Sequence, residues 1–245
     1  MALAATLGAG ALTGCESKSG VAAFVGSTSI QTSELSSHVD RGVQTLSAIG
    51  VQAAPNDVQS AWLGNLIERD VARQVARQQG VGVSQGDVNV FLSRFAATRG
   101  GGVGALRDRA ARNGISEGDL PVVFETLALE NAIAGKLAPQ LVAPDAAARQ
   151  AFAQQQQLFP GLTYDQVNPL FRELLVFDQR SGVALNAMRE QARQIGVRVN
   201  PRFGSWNADT FSLGAPPNDL SQAVAPSGAP APVEGGEAPA PVPAS

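Results

Sequence analysis

Between Asn56 and Gly80, the apolar residues Leu63, Ile67, Val71 and Val75 recur every four positions, and Val58, Trp62 and Leu66 form a row beside them. An α-helix turns once in about 3.6 residues, so both rows fall on one wide apolar face. A face that long has to be covered by other elements. This single stretch therefore commits the chain to helix-on-helix packing.

The flanking sequence carries matching signals. Val21 to Gly26 is a short apolar run ending in a turn, and Ser27 to Gln31 is its expected hairpin partner. Hydroxyls at Thr32 and Ser33 open a helix that runs to Ile49 and stops at Gly50. Asn56 and Asp57 are expected to cap the next helix, and Gly80 to end it. Ser84 and Asp87 have capping-box spacing ahead of Val88, Phe91, Leu92 and Phe95. The glycine run from Gly100 to Gly104 predicts a hinge, followed by a short helix to Arg112. Ser116 to Asp119 opens a longer helix that closes at Pro139, and Pro144-Asp145 starts another through Phe152. Residues Thr163 to Ile195 read as one long helix, with Pro169 near its start or at a kink. Val197 to Asn200 alternates as a strand does. The fold class expected is mostly α, with one small sheet built from the first and last elements.

Composition sets the limits of the folded unit. The stretch from Ala215 to Ser245 holds eight of the fifteen prolines and few large apolar residues, too few to offset its backbone entropy. At the other end, residues 1–14 are small, apolar and uncharged, and too short for a bilayer span of about 20 residues. The expected organisation is a signal segment (1–14), a polar tether (15–20), one domain (21–206) and a Pro/Ala/Gly-rich disordered tail (207–245). The net charge of −3 and a pI near 5.2 argue against a nucleic-acid partner, which rewards a basic surface.

Leu12-Thr13-Gly14-Cys15 resembles the bacterial lipobox: an aliphatic residue, two small residues and the cysteine that takes a diacylglyceryl thioether. Cys15 is the chain's one cysteine. The resemblance implies lipid attachment at Cys15 and a place on the extracytoplasmic face of the bacterial cell membrane. Two acyl chains give stable anchoring at about 0.8 kcal/mol per buried CH₂. No Lys or Arg precedes the apolar run, unlike most export signals, which points to a start upstream of Met1 or to a weak signal.

The order of motifs also resembles the N-terminal domain of SurA-type and PrsA-type chaperones. Val21 to Gly26, then Ile30 and Glu34-Leu35, resembles that domain's opening strand, its isoleucine and its helix start. Val25 stands where the family often has asparagine. Gly80-Val81-Gly82-Val83-Ser84 before Asp87-Val88 resembles its next turn into helix, and Gly114-Ile115-Ser116 before Asp119-Leu120 a later one. Asn200 to Trp206 is similar to the end of actinobacterial lipoproteins with this domain. The resemblance spans residues 21–206. Many relatives insert a parvulin-type prolyl isomerase domain ahead of the returning helix, whereas only Gln154 to Thr163 lies in that place here. It therefore implies a chaperone domain without the isomerase, binding unfolded or newly exported polypeptides without ATP.

Catalytic constellations are sparse. The single histidine, His38, is expected on the solvent face of its helix. No serine sits in a G-x-S-x-G elbow, and Gly100 to Gly104 lacks the lysine and hydroxyl of a phosphate loop. Glu125, Glu130 and Glu173 are expected on solvated helix faces. No enzyme activity, cofactor or metal is expected. Trp62, Phe91, Phe95 and Phe124 are either core or the lining of a client groove. The alternatives to a chaperone are an adaptor lipoprotein with one envelope partner and a residual peptidyl-prolyl isomerase.

Overall fold

The computed structural model describes residues 20–99 and 101–214. The chain opens with a hairpin, β1 (Val21–Val25) and β2 (Thr28–Gln31), followed by α1 (Thr32–Ala48), α2 (Pro55–Gln79), α3 (Gln85–Thr98), α4 (Val103–Arg112) and α5 (Leu120–Leu137). Next come α6 (Asp145–Gln155), α7 (Tyr164–Val167), α8 (Leu170–Leu175) and α9 (Phe177–Ile195). Three short strands close it: β3 (Val197–Val199), β4 (Ser205–Asn207) and β5 (Ser212–Gly214).

The fold is mostly helical, with a small sheet that joins the two ends of the domain. Its strand order is β2-β1-β3, and both pairings are antiparallel. β3 sits in register with β1 through Ala23↔Val199, Phe24↔Arg198 and Val25↔Val197. The Gly26 N–H donates to the Gly196 carbonyl at 3.0 Å, so the first turn is fastened to the end of α9. Gly26 takes φ +60°, and a Cβ there would stand 3.3 Å from Ile195 Cβ. Glycine meets both constraints.

The face anticipated on α2 is the centre of the molecule. Leu63, Leu66, Ile67 and Val71 are fully buried, packed with Ala22, Val25 and Ile30 of the sheet, Leu129 and Ile133 of α5, and Ala184 and Met188 of α9. A second apolar cluster gathers Val88, Phe91, Leu106, Phe124, Leu174 and Phe177. A third joins Ala97, Phe152, Phe159, Tyr164 and Phe171 around α6 and α7. The Ser84–Asp87 capping box is formed, with Ser84 Oγ accepting from the Asp87 N–H and Asp87 Oδ2 accepting from the Ser84 N–H.

Four expectations need correction. The stretch 163–195 is three helices rather than one. Asn168 is extended (φ −75°, ψ 141°), as a residue before proline prefers, and Pro169 has no N–H to continue α7. A second break at Val176 lets Phe171 enter the third cluster while Leu174 and Phe177 enter the second. The start of α2 is set by Pro55 at its first position, not by a side-chain cap from Asn56 or Asp57. The folded chain also runs past Trp206. β4 pairs with β5, and between them Phe211 is buried and packs edge-on against the Trp206 ring at 5.1 Å. Finally, His38 is buried. In the glycine run, Gly101 and Gly102 do form the break before α4, with φ of +72° and +96°; Gly100 lies outside the described residues.

Candidate functional site

The most developed polar constellation lies where α1 crosses the turn that leads into α5. Asp119 is the hub. Its side chain is only 3% exposed. Arg41 Nε donates to both carboxylate oxygens, at 3.2 and 3.0 Å, and Arg41 Nη2 donates to Oδ1 at 2.6 Å. Ser116 Oγ donates to Oδ2 at 2.6 Å, and His38 Nδ1 lies 2.9 Å from Oδ1. His38 and Arg41 are three apart on α1, so the helix presents them on one face. The His38 ring stacks on Trp62, with centroids 4.4 Å apart and planes at 17°. Trp62 Nε1 donates to the Gly114 carbonyl at 3.3 Å.

Burial by itself raises the Asp119 carboxyl. The hydrogen bonds from Arg41 and Ser116, with the charges of His38 and Arg41, outweigh it and hold the group below its ordinary range. The order of the three groups decides what they can do. A nucleophilic triad needs histidine between hydroxyl and carboxylate, so that the hydroxyl proton passes to imidazole. Here the carboxylate stands in the middle and accepts the Ser116 hydrogen bond directly, so no imidazole is placed to draw off the hydroxyl proton. The arrangement fixes α1 to the α5 entrance rather than activating a nucleophile.

A concavity of about 240 Å³ opens beside this hub. Ala110, Ile115 and Leu120 supply its apolar lining; Thr45, Arg107, Asp108 and Glu117 supply the polar part. Arg107 and Glu117 pair at 2.7 Å.

The aromatic residues considered for a groove are placed unevenly. Trp62, Phe91 and Phe124 are buried in the core and line no open surface. Phe95 is half-buried and meets Phe124 and Phe177 edge-on at 5.3 and 5.4 Å. The groove assignment is therefore corrected for the first three: their ring faces are consumed by core packing. Among the described residues, the large apolar side chains most open to solvent are Ile49, Val51, Val90, Val103 and Leu137, on or beside α1, α3, α4 and α5. Leu12, Thr13, Gly14 and Cys15 lie outside the described residues.

The carboxylates expected on solvated faces also moved inward. Glu130 is 5% exposed, Glu125 is clamped by Arg73 at 2.6 and 2.7 Å, and Glu173 accepts from Asn131 Nδ2 at 2.7 Å. Asn131 in turn receives Arg180, itself 1% exposed, whose remaining nitrogen donates to the Leu141 carbonyl. Sequence reasoning missed Asp119 and Arg41 as partners. The one available signal was the His38-x-x-Arg41 spacing, which gives a shared face but no hint of what covers it. Among the described residues, no set of three or more His, Cys, Asp or Glu side chains is grouped to hold a metal ion, and no helix is long and apolar enough to cross a membrane.

No protein-family model, curated protein or solved structure matches this chain. The likeness to SurA- and PrsA-type domains rests on the sequence motifs that carry it.

Proposed function

We propose that the protein is a membrane-tethered, extracytoplasmic lipoprotein that binds unfolded or newly exported polypeptides without ATP. The reading takes its address from the lipobox at Cys15 and its activity from the way apolar surface is distributed. The observation that carries it is the set of exposed apolar residues Ile49, Val51, Val90, Val103 and Leu137, which are 39–52% exposed on or beside four helices of the body. Dispersed small contacts suit weak, sequence-tolerant binding to an extended chain, because each contributes a little burial and none demands a fixed side chain. No chemical step is needed for this role, and neither cofactor nor metal enters it.

A second reading is an adaptor with one envelope partner. The concavity beside Asp119 favours it, since a lining that joins apolar side chains to the Arg107–Glu117 pair suits a partner carrying both apolar and polar groups.

The two readings separate in a binding titration. A labelled, permanently unfolded polypeptide should bind the unlipidated domain, with affinity rising with its apolar content. Binding confined to a single stoichiometric partner from envelope extract, with none to unfolded chains, would favour the adaptor and end the chaperone reading.

A further inference from the structure

Two acidic side chains stand inside the helical body without a cation. Glu130, on α5, is 5% exposed, and its one hydrogen-bond partner is Ser181 Oγ of α9 at 2.6 Å. Glu68, on α2, is partly buried on a helix packed against both α5 and α9, and no hydrogen-bond donor reaches it among the described residues. The nearby cations are committed elsewhere. Arg69 pairs with Glu34 and Asp70, Arg73 with Glu125 and Asp70, and Arg180 with Glu173, Asn131 and the Leu141 carbonyl. Glu130 is the charge that acts on Glu68.

Such a site is costly when both groups ionise, since a carboxylate removed from water needs donors or an opposite charge. We propose that Glu68, Glu130 and Ser181 form a protonation-operated latch across α2, α5 and α9: with protons aboard the helices close tightly, and with both carboxylates ionised the seam opens more readily. The apolar residues behind it are Leu129, Ile133, Ala184 and Met188, so opening bares core surface. Arg180 and Asn131 hold the α5–α9 junction at an adjacent position and confine the opening to a local event.

The direction follows from linkage. Burial, then the neighbouring Glu130, pushes Glu68 up to about 7. Burial also raises Glu130, and the Ser181 bond opposes that only in part. In an opened state both return towards the ordinary range near 4.3. Protons are thus bound more tightly closed than open, and opening grows as pH rises through the closed-state value. For Glu68 alone, the opening equilibrium should increase about tenfold between pH 6 and pH 8.

Hydrogen exchange of the folded protein reads this directly. Protection factors of amides in α2, α5 and α9, corrected for intrinsic exchange, should fall about tenfold from pH 6 to pH 8. Amides of α6 and α7 should change little. Glu68→Gln should abolish most of the slope and leave the seam at least as protected as in the parent at pH 8; Glu130→Gln should weaken the slope without abolishing it, because burial alone still raises Glu68. A flat parent profile overturns the latch, as does an unchanged slope in Glu68→Gln. Failure of both glutamine variants to fold also overturns it, because the neutral isosteres are expected to be the more stable forms.

Discussion

The Asp119 hub gives the sharpest test of how the body is held together. Asp119→Asn keeps the shape and removes the charge. Losing one member of a buried ion pair costs about 3–5 kcal/mol when the partner is trapped. Arg41 is not trapped, since its side chain is 43% exposed and its guanidinium can return to water. His38 and Ser116 cannot follow it as easily, because His38 is pinned between Asp119 and the Trp62 ring. The expected loss at pH 7 is therefore reduced to about 2–3 kcal/mol. For a domain of this size that lowers the melting temperature by about 4–12 °C. The sign with pH is fixed as well. The folded carboxyl lies below its ordinary value, so its contribution is present above the unfolded value near 3.9 and is lost as pH falls through the folded one. Urea unfolding of parent and variant should thus differ at pH 7, and the difference should shrink as pH falls below about 3.9. A difference under about 0.5 kcal/mol at pH 7, the range of an ordinary surface change, would refute the claim that Asp119 is a buried hub.

Other substitutions probe separate features. Gly42→Ala should destabilise by about 1–3 kcal/mol, because the new Cβ would meet the Gly114 carbonyl at 2.7 Å and Val58 Cγ1 at 2.8 Å. Gly64→Ala, in the middle of α2 with nothing within 4 Å, should stabilise by about 0.5–1 kcal/mol, and thermal melts of the pair read both signs. Ser84→Ala removes the acceptor for the Asp87 N–H and should cost about 1 kcal/mol in chemical denaturation. Cys15→Ala should move the protein from the membrane fraction to the soluble one; retention on the membrane would contradict the lipid anchor.

Local signals were legible in the sequence and distant ones were not. The Ser84–Asp87 box spans one helical turn, so its spacing specifies it. The α2 stripe was readable because burial repeats at the helix period. The sheet that unites Val21–Val25 with Val197–Val199 was legible in outline, since short apolar runs at both ends had no other place to be covered. His38 was misplaced because its burial depends on Asp119, 81 positions away. Glu130 was misplaced for the same reason: a carboxylate on a helix reads as solvated until the element across it is known, here Ser181 on α9. The break at Val176 has no glycine or proline of its own to announce it. It follows from three aromatic and aliphatic side chains serving two separate clusters. The hairpin beyond Trp206 was hidden by the composition that follows it, although Phe211 and Leu213 supply the apolar residues it packs inward. Of the candidate site, the aromatic residues were visible as a set, but only their packing partners decide that Trp62, Phe91 and Phe124 are core.

The central claim is that the exposed apolar residues of this helical body hold unfolded chains. Aggregation of a chemically denatured model protein, followed by light scattering after dilution into the unlipidated domain, tests it most directly. Suppression is expected at several-fold molar excess. That suppression should be lost in a folded variant carrying serine at positions 49, 51, 90, 103 and 137. Unchanged scattering with the parent domain, or full suppression by the serine variant, would contradict it.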